Sequence, residues 1–378
     1  MVFIISSSHL NDRVKKKTKT MNKDYCVILA GGTGRRLWPA SSKAVPKQFV
    51  DVFGIGSTLL QLTYERFARF IEPDHIYVST YVDYIDIVEE QLPNIPRRHI
   101  LAEPVRLGTA PAVAWANIHI IYKEPDARVI VTPADQYILR QDVFEQNMSH
   151  ALDFVAKNNV FVVMGVRPTR IATEYGYIQM GGQPDEHSLV PVKSFTEKPD
   201  ENFARMFIES GEFLWNTGLY LWSAKTMQNS VAELIPNIAP HIDEFINLSR
   251  EEEQDFVNKH YPSNLYMSIE KAVLERSANV YVGAGAFGWA DLGTWSSLYG
   301  ISDKDENGNV ALATRTVMHD CSNNVVKLPS GRVAVIEGLD GYIVAESENT
   351  LLICKRGDAN RVRLLANEAQ EKLGKEFA

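Results

Sequence analysis

Short apolar runs alternate with amphipathic stretches of helical period through most of the chain, and this alternation constrains the fold more than any other feature. The apolar runs have the length of strands and lie at 25–30, 75–79, 129–132, Phe161–Val166 and 219–222. The stretches of helical period lie at 59–70, 82–91, 110–122 and 143–157. Such alternation predicts an α/β fold with a Rossmann-like, mostly parallel sheet and helices on both faces. Functional residues lie beyond the carboxyl ends of the strands in such sheets, so we expect Gly31 and Asp135 at one edge.

The pattern changes in three later regions. Residues 167–200 alternate and turn like a β-hairpin or a lid over the sheet, and residues 223–276 are mainly helical. After Tyr299, short β-runs are separated by glycine, asparagine, aspartate and serine, which predicts a small all-β domain. A spacing of four residues near the end of the chain predicts a terminal helix packed on one face, formed by Leu365, Ala369, Leu373 and Phe377.

These changes divide the 378 residues into three expected parts. Residues 1–22 form a basic tail, which we expect to be flexible and whose place in the natural protein stays open. Residues 23–301 form the α/β domain. Residues 302–378 form the small β-rich domain with its terminal helix.

Composition excludes several classes of protein. The formal net charge is −8, from 39 basic and 47 acidic side chains, which argues against a general nucleic-acid-binding surface. The three cysteines, Cys26, Cys321 and Cys354, have no spacing typical of structural zinc, and their scarcity favours a reducing, cytoplasmic compartment. The chain lacks a run of about 18 apolar residues, so we expect no membrane span.

The stretch LAGGTGRRLWPASSKAVPKQF, residues 29–49, combines three glycines with several cations. A dinucleotide-binding loop is disfavoured because Leu37 occupies the third glycine position and Pro39 interrupts the following helix. The pattern of a P-loop is absent. A loop around a nucleoside triphosphate remains possible, since glycine backbone can approach phosphates closely while Arg36 and Lys47 supply charge. A simple glycine turn with surface cations explains the same residues.

This stretch closely resembles the signature of the sugar-1-phosphate nucleotidyltransferases, and in particular of their mannose-1-phosphate guanylyltransferase branch. The resemblance continues in order through EPVRLGTAPA, TPADQYI, EYGYI, FTEKP, WNTGLYLW, SIEKAVLE and WADLGTW, and covers roughly residues 24–298. It implies the nucleotidyltransferase fold and a short, monofunctional form. It also implies that the β-rich end is a small domain similar to a left-handed β-helix, through which two copies could form a homodimer.

The resemblance also implies roles for particular residues. The expected catalytic cations are Arg36 and Lys47. The expected nucleotide-binding residues are Leu29, Ala30, Gly31, Gly32, Gly34, Pro104, Gly108 and Thr109. The expected sugar-phosphate-binding residues are Gly176, Glu197, Lys198 and Asn216. Asp135 and Asp291 are expected to hold Mg²⁺, which prefers carboxylate and phosphate oxygens.

Two positions depart from the commonest form of the family's motifs. Gln136 stands where a histidine often follows the aspartate, which puts a contact behind the metal site in doubt. Leu107 and Gly108 stand where Arg-Asn is frequent, which puts a side-chain contact to the nucleotide in doubt.

The function implied is transfer of GMP from GTP to α-D-mannose 1-phosphate, giving GDP-mannose and pyrophosphate. GTP and mannose 1-phosphate would be the binding partners, with neither nucleic acid nor membrane involved. A related transferase with another sugar or base stays open, because nothing in the residues alone selects guanine. A catalytically silent regulatory subunit that binds a sugar nucleotide is a second alternative, and a nicotinamide-dependent oxidoreductase is a third.

Overall fold

The computed structural model describes residues 23–182, 189–245, 247–357, 359–374 and 377. The predicted tail, 1–22, lies outside these residues. Seventeen strands are described, in chain order: β1 Asp24–Leu29, β2 Ile76–Tyr81, β3 Ile100–Glu103, β4 Arg128–Pro133, β5 Gln136–Ile138, β6 Phe161–Val166, β7 Tyr177–Met180, β8 Leu189–Thr196, β9 Phe213–Ser223, β10 Val280–Ala284, β11 Trp289–Asp291, β12 Val310–Leu312, β13 Arg315–His319, β14 Val325–Lys327, β15 Val333–Glu337, β16 Tyr342–Ser347 and β17 Thr350–Lys355.

Eleven α-helices are described between and after these strands: α1 Leu59–Ala68, α2 Ile85–Gln91, α3 Thr109–Lys123, α4 Gln141–Lys157, α5 Glu201–Ser210, α6 Ala224–Leu234, α7 Ile242–Phe245, α8 Arg250–His260, α9 Ile269–Ala272, α10 Trp295–Ile301 and α11 Ala359–Leu373. Among the described residues, none of these helices has both the length and the apolar composition needed to cross a bilayer. The mainly helical character predicted for 223–276 is confirmed by α6 to α9.

The main sheet has nine strands in the order β3-β2-β1-β4-β9-β6-β10-β8-β7. The strands β1 to β4 pair in parallel, but β9 is antiparallel to both β4 and β6 and lies in the middle of the sheet. The expectation of a mostly parallel sheet is therefore wrong at β9 and β8, although the remaining strands share one direction. The apolar pattern of a strand indicates whether both of its faces are covered, but it does not indicate the direction of the strand.

Helices cover both faces of the sheet, as predicted. On one face α3 and α6 enclose a core that includes the fully buried Trp115 and Trp222. On the other face α1 and α4 enclose a second core around Phe67 and Phe144. A strand covered on both faces buries alternate side chains into two different cores, which explains the unbroken apolar runs of β1 and β6.

In the part of 167–200 that the structure describes, two strands form a hairpin. The strands β7 and β8 pair antiparallel and extend the edge of the main sheet, where β7 also pairs with the start of β9. The hairpin is confirmed and its position over the sheet is wrong. The alternating pattern predicted the strands but not where they pair. Their backbone N–H and C=O groups need partners, and the edge of the sheet supplies them.

Residues after α10 form two smaller sheets. The strands β12, β14 and β16 stack in parallel with β17 at the edge, and β13 stacks in parallel on β15. From β12 to β16, each strand therefore pairs with the second strand before or after it in the chain, as in a coil of short β-segments. The predicted β-rich end is confirmed at this coarser level.

The terminal helix α11 is present, but its apolar face differs from the expected one. Val362 and Ala366 are buried and Leu365 and Ala369 are half-buried, while Leu373 is 69% exposed. The buried face follows a spacing of three and four residues, because a turn of α-helix has 3.6 residues. The helix packs in a core that also contains Leu37 and Trp38 of the signature stretch, so it contacts the α/β part of the molecule.

Candidate active site

The signature stretch leaves the carboxyl end of β1 at the centre of the sheet. The Ala30 N–H donates to the Ser79 carbonyl at 2.8 Å, which continues the pairing of β1 with β2 by one residue. Gly34 then adopts a left-handed backbone with φ of 59°. A Cβ atom there would lie 2.5 Å from the backbone nitrogen of Lys47, so only glycine allows the two ends of the stretch to touch.

The side chain of Gln48 fixes the backbone of the glycine part of this loop. Its buried side-chain amide donates to the carbonyl of Ala30 at 2.7 Å and to that of Gly32 at 2.8 Å. Both N–H groups of one amide are therefore used to fix two backbone carbonyls of the loop. Gly32 itself is exposed and has open space where a side chain would project.

Lys47 lies between the two predicted metal-ligating carboxylates. Its ammonium forms an ion pair with Asp135 Oδ2 and lies 3.7 Å from Asp291 Oδ1. The two aspartates are brought together by the antiparallel pairing of β5 with β11, and the Leu292 N–H donates to the Asp135 carbonyl at 3.1 Å. Two carboxylates far apart in the chain thus converge on one point at the carboxyl edge of the sheet.

Burial and charge act against each other in this centre. Burial lowers the pKa of Lys47, but the carboxylates of Asp135 and Asp291 outweigh it and the net shift is upward. Burial raises the pKa of Asp291, and the neighbouring Asp135 adds to this shift while Lys47 and Arg36 oppose it. The charge of Arg36 therefore acts on the same centre, which is stabilised by having cations beside both carboxylates.

A second group of polar residues lies beside the glycine loop at the ends of β2 and β3. The Arg106 Nε donates to the Gly31 carbonyl at 2.9 Å, and its guanidinium stacks 3.7 Å from the ring centre of Tyr81. The Glu103 carboxyl accepts from Ser79 Oγ at 3.0 Å and from the Tyr261 hydroxyl at 2.9 Å. Burial raises the pKa of Glu103 to about 7.

The segment between β3 and α3 closes this side of the site. Gly108 has a φ of 86° and directly precedes α3, and a Cβ atom there would lie 2.5 Å from the Met267 carbonyl. Thr109 begins the helix, and its hydroxyl accepts from the Ile269 N–H at 2.8 Å. Pro104 and Leu107 are half-buried in the same segment. The loop predicted to contact the nucleotide is thereby tied to the start of α9.

The predicted sugar-phosphate residues gather at β7, β8 and the start of β9. Gly176 lies against the carboxyl of Glu197 and the side chain of Asn216. Lys198 forms an ion pair with Glu197 and has a left-handed backbone with φ of 45°. Both charged side chains are about half exposed, at 47% for Glu197 and 52% for Lys198.

A partly buried chain of hydrogen bonds orients Asn216. Its Oδ1 accepts from the Gly218 N–H at 2.9 Å, and its Nδ2 donates to the Tyr220 hydroxyl at 3.0 Å. The Tyr220 hydroxyl in turn donates to Glu270 Oε1 at 2.6 Å. Burial raises the pKa of Tyr220 well above its usual range, so the phenol stays protonated and remains a donor.

Comparison with known proteins identifies the family. The sequence profile of the nucleotidyl transferase family matches residues 25–308. A mannose-1-phosphate guanylyltransferase of Escherichia coli is 31% identical over 347 residues, which cover 89% of this chain and 74% of that protein. The chain belongs to the nucleotidyl transferase family, in its mannose-1-phosphate guanylyltransferase branch.

Two further relatives agree with this assignment. The alginate biosynthesis protein AlgA of Pseudomonas aeruginosa is 34% identical over 348 residues, covering 89% of this chain and 70% of that protein. A crystal structure named mannose-1-phosphate geranyltransferase, from Thermus thermophilus, superposes with a TM-score of 0.78 at 29% identity, covering 92% of this chain and 99% of that one. The resemblance found in the motifs is confirmed.

Nucleotidyl transferases of this family generally use a divalent metal, and the charged centre fits one. Asp135 and Asp291 offer carboxylate oxygens, which are the ligands that hard divalent cations prefer. The ammonium of Lys47 already stands between them as a cation. Within the described part of the chain, no cluster of three or more histidine, cysteine, aspartate or glutamate side chains is placed to hold a metal.

The structure brings the predicted site residues of this nucleotidyl transferase into three groups. Lys47, Asp135 and Asp291 meet directly, with Arg36 near enough to act on them. The predicted nucleotide-binding residues line the loop after β1 and the segment before α3. The predicted sugar-phosphate residues lie together at the hairpin end of the sheet.

Several residues of the site were missed by sequence reasoning, namely Gln48, Glu103, Arg106, Tyr220, Glu270 and Gly293. All six stood inside quoted motifs: Gln48 is in the stretch 29–49, Glu103 and Arg106 are in EPVRLGTAPA, Tyr220 is in WNTGLYLW and Glu270 is in SIEKAVLE. Gly293 lies in WADLGTW, and a Cβ atom there would come within 2.9 Å of Asp291 Oδ2 and 3.0 Å of Lys47 Nζ. Their position inside a motif could have drawn attention to these residues. The sequence did not show which partner each side chain contacts.

Proposed function

We propose that this chain transfers GMP from GTP to α-D-mannose 1-phosphate, giving GDP-mannose and pyrophosphate. The observation that carries the proposal is the meeting of Lys47 with Asp135 and Asp291 at the carboxyl edge of the sheet, beside a glycine loop. A cation and two carboxylates at one point suit a substrate that arrives with several phosphate charges and a divalent metal. The names of the relatives supply the sugar and the base.

The reaction needs one bond made and one bond broken. An oxygen of the sugar phosphate attacks the α-phosphorus of GTP, the new P–O bond forms, and the bond to the oxygen bridging the α- and β-phosphates breaks. Pyrophosphate leaves with that oxygen and its electron pair. The attacking phosphate is already anionic, so a strong general base is unnecessary, and catalysis consists of positioning and stabilisation of charge.

Arg36 and Lys47 would bind the phosphates of GTP and stabilise the departing pyrophosphate. Their cations lie beside the glycine loop, whose backbone N–H groups can approach the nucleotide. The proposed nucleotide contacts are those of Leu29, Ala30, Gly31, Gly32, Gly34, Pro104, Gly108 and Thr109. Arg106 and Gln48 would keep the carbonyls of this loop fixed, which leaves its N–H groups free to face the substrate.

Asp135 and Asp291 would hold the metal, which we propose is Mg²⁺. When bound, Mg²⁺ would neutralise part of the charge on the α-phosphate during attack. Lys47 would move its ammonium from the carboxylates to the phosphates as substrate enters. The long side chain of lysine permits this exchange without movement of the backbone.

At the other end of the site, Glu197 and Asn216 would bind hydroxyl groups of mannose and Lys198 would approach its phosphate. A carboxylate accepts from hydroxyls, and an amide both donates and accepts. Gly176 leaves the space between them open.

The direct test is release of pyrophosphate by the purified protein with Mg²⁺, mannose 1-phosphate and each of the four nucleoside triphosphates in turn. We expect release with GTP. Release with another nucleotide, or with glucose 1-phosphate in place of mannose 1-phosphate, would assign a related transferase instead. A folded protein that binds GDP-mannose but releases no pyrophosphate with any pair would be a regulatory subunit.

Two variants sharpen this assay. Lys47→Ala should lose pyrophosphate release, and Lys157→Ala, which removes an exposed lysine at the end of α4, is the matched control. Equal activity in the two variants would contradict the role proposed for Lys47.

We also propose that residues 23–301 and 302–378 are separate domains, that the second coils in the left-handed sense, and that the enzyme works in the cytoplasm as a homodimer. The outward face of β13 and β15 suits a second copy. Val317, Val333 and Val335 are 48%, 59% and 75% exposed there, with Arg315 at one end and Glu337 at the other. A two-fold axis that lies along this face, perpendicular to its strands, would set the arginine of one protomer beside the glutamate of its partner.

Sedimentation velocity tests the homodimer. We expect a dimer for the wild-type chain and a monomer for Val335→Glu, because a carboxylate at the centre of an apolar interface is costly to bury. A monomeric wild-type chain, or a dimer unaffected by Val335→Glu, would contradict the proposed interface.

A further inference from the structure

We propose that the terminal helix α11 sets the orientation of Arg36 from outside the active site, through Arg35 and Leu37 of the same turn. Arg35, Leu37 and Asn367 are then positioning residues, since none of them touches the reacting groups. This inference rests on the proposed function, because it assigns a task to Arg36 in the transfer reaction.

The turn Arg35–Leu37 presents its first and last residues to the helix. Leu37 is 1% exposed and shares a core with Val362 and Ala366 of α11. The Arg35 Nη1 donates to Asn367 Oδ1 at 3.0 Å. Both neighbours of Arg36 are therefore attached to α11.

The turn lies beside the charged centre, because a Cβ atom on Gly34, the residue before the turn, would lie 2.5 Å from the Lys47 backbone nitrogen. Arg36 is half-buried there, and its charge acts on both Lys47 and Asp291. Within the described residues, its side chain forms no hydrogen bond or ion pair that could fix its direction. The backbone sets the direction in which the Cβ atom of Arg36 leaves the chain, and α11 holds both neighbours of Arg36 on that backbone.

The residue after the turn adds a second attachment. The Trp38 indole N–H donates to the Phe377 carbonyl at 2.9 Å, and the Trp38 carbonyl accepts from the Trp295 indole at 3.1 Å. Trp38 is thus held on one side by the end of the chain and on the other by α10. Trp295 stands four residues after Asp291, so the same anchor reaches the segment that carries the second carboxylate.

In this arrangement, two arginines that are adjacent in the sequence have different roles. Arg36 would serve the phosphates, while Arg35 serves the contact with α11. Since α11 follows β17 directly, the β-rich end of the chain contributes to the geometry of the active site without supplying a residue to it.

The test is a set of double-mutant cycles measured as kcat and KM for GTP. Asn367→Ala and Arg35→Met each remove one partner of the same hydrogen bond, and each should lower kcat about two- to tenfold. The double variant should lower kcat no more than either single variant does. Asn367→Asp keeps an oxygen acceptor for Arg35 and should restore kcat to near the wild-type value.

The decisive cycle combines Asn367→Ala with Arg36→Ala. If α11 acts through Arg36, the first substitution should have no further effect on kcat once the guanidinium of Arg36 is gone. The same substitution should remain additive with Glu197→Gln, at the distant sugar end. Glu371→Ala, on an exposed position of α11, is the matched control and should leave kcat unchanged.

The outcomes separate this inference from the proposed function. An inactive wild-type enzyme would overturn the function. With an active wild-type enzyme, either of two results would overturn the role of α11. One is a normal kcat for Asn367→Ala. The other is that Asn367→Ala lowers kcat by the same factor whether residue 36 is arginine or alanine. Thermal unfolding of each variant excludes a general loss of the fold, and Val362→Ala offers a second way to loosen the helix should the arginine variants prove unstable.

Discussion

The two ends of the site are built differently. At the nucleotide end, the side chains of Lys47, Asp135 and Asp291 are only 17–27% exposed and contact one another directly. At the sugar end, Glu197 and Lys198 are about half exposed and contact each other at the hairpin edge. The first group stands on the signature stretch after β1, at the end of β4 and on the small sheet of β5 and β11, while the second stands at β8, at one end of the main sheet.

The difference teaches which part of the site is preorganised. Charges fixed in a partly buried centre act strongly on a reacting phosphate, because water screens them little. Charges exposed to solvent contribute less and are reoriented more easily. We therefore expect substitutions at the nucleotide end to lower kcat and substitutions at the sugar end to raise KM.

The largest effect should come from Lys47→Ala. Removing a cation that binds the transferring phosphates should lower kcat on the order of a hundred- to a thousandfold, while the fold is retained. Steady-state kinetics and circular dichroism of the same preparation check both parts. Near-normal kcat would show that the buried centre is structural and would end the contrast between the two ends.

Asp135→Asn and Asp291→Asn should have the next largest effect. An amide is a weaker ligand for a divalent cation than a carboxylate, so the Mg²⁺ concentration for half-maximal activity should rise about ten- to a hundredfold. The measurement is a Mg²⁺ titration at saturating GTP and mannose 1-phosphate. Unchanged titration curves in both variants would exclude the two-aspartate site.

A smaller effect is expected from Glu197→Gln at the sugar end. Replacing a carboxylate that accepts from hydroxyls should raise KM for mannose 1-phosphate about tenfold and leave KM for GTP unchanged. Varying each substrate separately makes the measurement. A fall in kcat with unchanged KM would indicate that the sugar end, too, acts mainly in the transition state.

The last prediction concerns stability instead of kinetics, and it tests how burial alone acts on a carboxyl. Burial raises the pKa of Glu103 to about 7, opposed by hydrogen bonds from Tyr261 and Ser79 and by the charge of Arg106. The folded state then keeps a proton that the unfolded state releases above the ordinary glutamate pKa of 4.5. Stability should fall as pH rises from about 4.5 to 7, by up to about 1.4 kcal/mol per pH unit, and level off above.

Urea unfolding of the wild-type chain and of Glu103→Gln at pH 5, 6 and 7 measures this slope. The difference in stability between the two should shift in favour of the variant as pH rises. An opposite shift would mean that the hydrogen bonds from Tyr261 and Ser79 and the charge of Arg106 together outweigh burial at Glu103.

Much of the local structure was predictable from the sequence. The strands β1, β4 and β6 and the helices α1, α3 and α4 follow from apolar periodicity, because each element buries a face with its own repeat. The strand β3 was missed, since its four residues are too few to show a period. The site motifs were found by resemblance, and Gln48 and Tyr220 were missed because a buried polar residue gives no sign of its partner.

What the sequence by itself determined is most of the strands and helices around the main sheet, the glycine loop after β1, and the family to which the chain belongs. Only the tertiary structure decided the direction of β9, the meeting of Asp135 with Asp291 through β5 and β11, and the docking of α11 on the turn that carries Arg36. The physical reason is that periodicity and turn chemistry act between near neighbours in the chain. Strand pairing and helix docking are chosen by the burial and hydrogen bonding of the whole molecule.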